Sequence, residues 1–129
     1  MKLDLKTIQN INLFEKVTNA KVKDCIFREG LVFIVDEGQV QKALKGIRKV
    51  SSLLKQDVKV IGFSSEPEKF VRNLIYPVRA NIEAKDMEVI VSVEDARMKG
   101  KIFGREKSNL MWINSLVGKY FKGFSVRVE

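Results

Sequence analysis

Gly104-Arg105-Glu106-Lys107 stands between two stretches of helical apolar periodicity. Residues of these types in that position suit the binding of an anion. The first backbone N–H groups of a helix have no partner within it and lie at the positive end of its dipole. A glycine just ahead of them lets a phosphate approach the backbone closely. Arg105 and Lys107 add two cations to the turn, Lys101 adds a third just before it, and Glu106 opposes them. The chemistry on offer is phosphate binding, with no group present to break a bond.

The rest of the chain does not assemble a reaction centre. There is no histidine to exchange protons near neutral pH. A single cysteine, Cys25, allows neither an internal disulfide nor a cysteine pair for a metal, and it suits a reducing compartment. No GxxxxGK[ST] phosphate loop and no Gly-x-Ser-x-Gly nucleophile turn occurs. The paired acids Asp36-Glu37 and Glu94-Asp95 fall at expected strand-to-helix junctions, where negative charge stabilises a helix N-terminus. We therefore expect no catalytic residue, no metal and no cofactor. No apolar run approaches the roughly 18 residues needed to cross a bilayer, and the first residues lack the apolar core of a signal peptide. The expectation is a cytoplasmic monomer that does not meet a membrane.

Charge sharpens this picture. The 129 residues carry a formal net charge of +8, and the excess is concentrated in two segments. Six cations face one acid between Gly38 and Val60, and seven face two between Asp95 and Lys122. Two separate basic surfaces fit a polyanionic partner better than a uniform solubilising coat does.

Those segments must be positioned by the elements around them. The helix after the turn has Leu110, Ile113, Val117 and Tyr120 on one stripe, widened by Met111, Trp112, Leu116 and Phe121, with Trp112 off the main line. We assign Ser108 as its N-cap, Gly123 as its stop, and the large apolar side chains to the core in preference to a base-stacking platform. Earlier, Ile8, Ile11, Phe14 and Val17 predict a helix over Thr7–Val17 capped by Thr7. Alternation over Ala20–Phe27, with Cys25 at least half-buried, and the apolar run Leu31–Val35 predict a hairpin. Asp36-Glu37-Gly38 opens a helix that breaks near Lys45-Gly46, and Val50, Leu53 and Leu54 mark a second short one. Val58–Phe63 is rich in β-branched residues and reads as a strand.

The same order then repeats. Ser65-Glu66-Pro67-Glu68 has capping-box spacing with proline just inside, Phe70, Val71, Leu74 and Ile75 form the apolar face, and Tyr76-Pro77 ends that helix. Strands are expected over Val78–Ala84, Glu88–Glu94 and Phe124–Val128, with the two-helix stretch between the last two. Leu31-Val32-Phe33-Ile34-Val35-Asp36 answers Val89-Ile90-Val91-Ser92-Val93-Glu94, and Leu44-Lys45-Gly46 answers Ile102-Phe103-Gly104. The reading is an α+β chain of two α-β-β-α-α-β units, 1–64 and 65–129, each with a small three-stranded sheet covered by helices.

An α-β-β-α-α-β unit with a glycine turn between two helices resembles the type II KH domain, and a tandem pair resembles the archaeal NusA-like transcription factors. The resemblance spans nearly the whole chain. It is carried by Leu13-Phe14-Glu15-Lys16-Val17-Thr18 with Lys23-Asp24-Cys25, by Val32-Phe33-Ile34-Val35 with Glu37-Gly38, and by Glu68-Lys69-Phe70-Val71-Arg72-Asn73-Leu74 before Pro77-Val78-Arg79. In that family an Ile-Gly-x-x-Gly turn grips the backbone of about four single-stranded nucleotides. Phe103 and Gly104 match the first pair, Arg105 and Glu106 take the variable places, and Lys107 replaces the second glycine. In the first unit only Gly46 is retained, with Leu44, Lys45, Ile47 and Arg48 around it, and the segment is shorter.

The resemblance implies a non-enzymatic factor of transcription elongation or termination that binds single-stranded RNA, with RNA polymerase as a further partner. Lys101, Gly104, Arg105 and Lys107 form the expected contact set, and Lys45, Gly46 and Arg48 a second one. The alternative is a scaffold whose altered turns have given up RNA and which holds polymerase or a ribonucleoprotein instead.

Overall fold

The computed structural model describes residues 4–129. Its elements follow the switching apolar period of the sequence: helix α1 (Leu5–Thr18), strands β1 (Val22–Phe27) and β2 (Leu31–Asp36), helix α2 (Val40–Leu54) and strand β3 (Val58–Phe63). There follow α3 (Pro67–Ile75), β4 (Asn81–Lys85), β5 (Glu88–Ser92), α4 (Ala96–Phe103), α5 (Ser108–Tyr120) and β6 (Ser125–Val128). The class is α+β, as the sequence indicates. Two compact units meet along the chain between Phe63 and Ser64.

Both units have the same sheet. In the first the order is β1-β2-β3, with β1 antiparallel and β3 parallel to the central β2. In the second it is β4-β5-β6, with β4 antiparallel and β6 parallel to β5. An antiparallel neighbour can be reached through a tight turn, as at Asp86-Met87, where both residues have positive φ (52° and 63°). A parallel neighbour needs a crossover, and helices supply it in both units.

The first unit's core is built on the stacked rings of Phe14 and Phe33, whose centroids lie 4.1 Å apart. Ala20, Cys25, Leu31, Val35, Ala43 and Val50 complete the buried cluster. The α1 helix starts earlier than its apolar period suggests. Asp4, not Thr7, is its cap: the Asp4 carboxylate accepts a hydrogen bond from the Thr7 N–H at 2.8 Å, and these bonds to Thr7 hold its pKa below the usual carboxylate range.

The crossover of this unit departs from the sequence expectation. A single 3₁₀ turn, Glu37–Gln39, leads into α2, which runs unbroken through Lys45 and Gly46. The expected glycine turn is absent from the first unit. Less chain separates Asp36 from Val58 than separates Ser92 from Ser125, and it is taken up by one helix where the second unit has two. Gly46 has another purpose. A Cβ placed on it would lie 3.0 Å from Thr18 Cγ2 and 3.3 Å from Val17 Cγ1, so the missing side chain lets α2 pass close to the end of α1.

In the second unit, Phe70, Val71, Leu74 and Ile75 of α3 are buried, together with Val89, Val91, Ile102, Ile113, Leu116, Val117 and Val126. Phe70 meets Tyr120 edge-on at 5.8 Å and Phe121 at 5.9 Å. Pro67 occupies the first turn of α3 as expected, but Glu66 holds the cap position and makes no side-chain cap bond. The Ser65–Glu68 box does not form. Ser64 Oγ instead accepts from the Glu66 N–H at 3.1 Å.

Two predictions come from this packing. Gly46→Leu should lower unfolding free energy by about 2 kcal/mol through overpacking, whereas Gly118→Ala, where the new methyl meets nothing within 4 Å, should raise it by up to about 1 kcal/mol through helix propensity. Urea titrations of the whole chain separate the two. Burial first, and the neighbouring Asp24 carboxylate second, push the Cys25 thiol up to about 11 from 9.0. The unfolded thiol ionises first as pH rises, so the folded chain should lose stability from about pH 9 to 11. Cys25→Ala should show a shallower decline over that window in thermal melts.

Candidate nucleic-acid interface

The turn between α4 and α5 is assembled from both sides. Asp95 starts α4, its Oδ1 accepting from the N–H groups of Arg97 at 2.8 Å and Met98 at 3.2 Å. Such a cap satisfies donors that the helix cannot. At the other end the Gly104 N–H donates to Gly100 O at 2.9 Å, and Gly104 then leaves the helix with φ 71° and ψ 178°. A Cβ here would lie 2.6 Å from Asn109 Cβ and 2.9 Å from Asn109 N. Only glycine fits both the dihedral angle and the space.

Arg105 follows, and then two left-handed residues in succession, Glu106 (φ 54°, ψ 32°) and Lys107 (φ 63°, ψ 16°). The Lys107 N–H closes the turn on Gly104 O at 3.2 Å. Lys107 thus occupies a conformation natural to glycine, at the cost of steric strain between Cβ and backbone. It also holds the cap position of α5 in place of Ser108, and no side chain caps that helix.

Two asparagines brace the turn, and sequence reasoning missed both roles. Asn109 Nδ2 donates to Ile102 O at 2.9 Å and to Lys101 O at 3.5 Å, so the start of α5 supplies a donor to the carbonyls at the end of α4. Asn114 Nδ2 donates to Leu110 O at 3.2 Å and Val126 O at 3.1 Å, while its Oδ1 accepts from the Val126 N–H at 2.7 Å. This one side chain ties α5 to β6. The signal was present in kind, since unfilled helix-end carbonyls and edge-strand groups need polar partners, but sequence does not say which asparagine reaches them.

Lys101, Arg105, Glu106 and Lys107 are all exposed. Lys107 Nζ lies 5.9 Å from the centre of the Phe103 ring, and among the described residues no carboxylate forms an ion pair with the three cations. The structure therefore brings Lys101, Gly104, Arg105 and Lys107 together around one open turn. It does not build a second such turn from Lys45, Gly46 and Arg48, which lie within the body of α2. Of the large side chains on α5, Trp112 is half-buried, while Met111 is 67% exposed and is not core as its spacing suggested.

Elsewhere the geometry offers less. An open depression of about 510 Å³ beside the β4–β5 turn includes Lys85, Asp86, Glu88 and Arg127 in its lining. Arg127 there pairs with Glu88 at 3.4 Å and with Glu129 at 3.0 Å. Among the described residues, no group of three or more metal-ligating side chains is placed to hold an ion, and no helix is long and apolar enough to cross a membrane.

No family model matches the chain. Individual relatives do. A protein of Methanocaldococcus jannaschii named probable transcription termination protein NusA is 23% identical, over 99% of this chain and 75% of its own length. The protein of the same name from Thermoplasma acidophilum is 26% identical, over 98% of this chain and 94% of its own, and that of Methanococcus vannielii is 28% identical over 85% and 69%. Over most of its length the chain is thus similar to archaeal proteins named NusA. The crystal structure of APE1850 has the same fold as this chain, with a TM-score of 0.72, 23% identity and coverage of 98% of this chain and 100% of that one.

The α4–α5 turn makes a sharp stability prediction. Lys107→Gly should stabilise the protein by about 1 kcal/mol by relieving the left-handed strain, and Gly104→Ala should destabilise it by at least as much. Thermal melts of the two single variants against the parent decide both signs.

Proposed function

We propose that this chain is a non-enzymatic RNA-binding factor of transcription termination or elongation, working in the cytoplasm as a monomer beside RNA polymerase. Single-stranded RNA lies with its backbone against the Gly104–Lys107 turn. One observation carries the reading: Gly104 admits no Cβ, and the turn it begins presents Arg105 and Lys107 to solvent with, among the described residues, no carboxylate paired to them. A phosphate there meets two exposed cations and the uncapped N-terminus of α5. Lys101 extends the cationic track.

The type II KH likeness of the two units supports the same reading through the layout of α4, turn and α5. A second reading, a scaffold for polymerase or a ribonucleoprotein, is favoured by the continuous α2, since the first unit has no comparable turn. Fluorescence anisotropy with a short labelled single-stranded RNA separates the two. RNA binding should weaken steeply between about 50 and 200 mM salt. Arg105→Ala with Lys107→Ala should reduce affinity at least tenfold and lower the salt slope by about 1.4, the value for two phosphate contacts on a single strand. Binding that ignores salt and both substitutions would leave the scaffold.

A further inference from the structure

The α2 helix carries a feature that the single-strand reading does not use. Its exposed positions include Lys42, Lys45, Arg48 and Lys49, and the helix from Val40 to Leu54 contains no acid. At 100° per residue these four fall on one arc, opposite the line of Ala43 and Val50 that is buried in the core. The arc runs about 10 Å along the axis. Among the described residues no carboxylate pairs with any of the four.

Such a face is costly to the folded protein alone. Lys42–Lys45, Lys45–Arg48 and Lys45–Lys49 are like-charge neighbours at i,i+3 or i,i+4, and each pair weakens a helix by a few tenths of a kcal/mol. Lys42 also stands in the first turn, where the helix dipole disfavours a cation. A bound polyanion removes all of these penalties together.

The composition of the face selects the polyanion. It has no aromatic side chain to stack on an unpaired base and no glycine turn to wrap a single strand. Its flanking leucines, Leu44 and Leu53, sit on opposite edges of the charged arc, so they do not form the apolar face that a membrane-surface helix needs. One arginine and no aromatic residue is a poor anchor set for a protein interface. What remains is a ligand that offers phosphates and hides its bases.

We propose that α2 is a sequence-independent docking face for the phosphate backbone of double-stranded RNA, such as the stem of a hairpin. The proposal rests on the reading of this chain as an RNA-binding protein. It assigns Lys45 and Arg48 a role through a straight helix, joined by Lys42 and Lys49, in place of the glycine turn expected there.

The test titrates the whole chain with a labelled blunt RNA duplex and, separately, with a single-stranded RNA, at several salt concentrations. The variant Lys42→Gln, Lys45→Gln, Arg48→Gln, Lys49→Gln should bind the duplex at least tenfold more weakly. Its salt slope should be lower by about 3.6, the value for four lost phosphate contacts, taking the duplex slope as that of B-DNA. Its single-strand affinity should change less than threefold. Its melting temperature should equal or exceed the parent's, because the like-charge pairs are gone, and this excludes unfolding as the cause. Arg105→Ala with Lys107→Ala should show the reverse preference, losing single strand and keeping duplex. Unchanged duplex binding in the α2 variant, equal loss on both RNAs, or a parent that binds single strand but no duplex would each overturn the proposal while the single-strand reading stands. A parent that binds neither RNA at low salt would overturn both and leave the face to an acidic protein surface.

Discussion

Two strands that run the same way cannot be joined by a hairpin, and this constraint shapes both units. The pairing of β2 with β3 and of β5 with β6 obliges the chain to leave the sheet, cover one face and return to the same edge. Everything proposed for function lies on these return paths. The longer path of the second unit folds as two helices and must turn between them, so it presents backbone at Gly104. The shorter path of the first unit folds as one helix and presents only side chains. Identical sheet topology therefore supports two surfaces of different kinds.

The turn's shape is held by polar contacts more than by apolar ones. Arg105, Glu106 and Lys107 are exposed, and two of them adopt left-handed angles that a lysine and a glutamate do not favour. The geometry persists because its surroundings over-determine it. Asn109 joins one helix to the other, Asn114 fastens the second helix to the edge strand, and the buried Ile102 and Ile113 anchor α4 and α5 in the core. A strained loop on two anchored helices keeps its form without a ligand, so less ordering entropy opposes binding.

Much of this was legible in the residues. Val58–Phe63 reads as a strand and is one, because β-branched side chains suit a pleated surface. The apolar face of α3 is the set Phe70, Val71, Leu74 and Ile75, and its end at Tyr76 follows from Pro77. Gly46 misled, because a glycine that breaks a helix and one that lets two helices touch look alike in sequence; only the neighbouring Thr18 and Val17 distinguish them. Caps were misplaced by one to three residues at Asp4, Glu66 and Lys107, since several polar residues compete at each helix start and local geometry chooses among them. Met111 matched the period of a buried stripe but lies outside its width. For the candidate site, the gathering of Gly104, Arg105 and Lys107 on one turn was legible from the glycine and the cations, whereas the bracing asparagines depend on distances that only the folded chain supplies.

The single cysteine has a practical side. Cys25 is packed in the core with the Phe14–Phe33 stack, and burial keeps its thiol protonated across the neutral range. To maleimide dyes the folded surface is blank. A cysteine introduced on the outer face of α2 or beside the α4–α5 turn would be the one addressable thiol, so a fluorophore or spin label can report on either surface without first replacing the native residue.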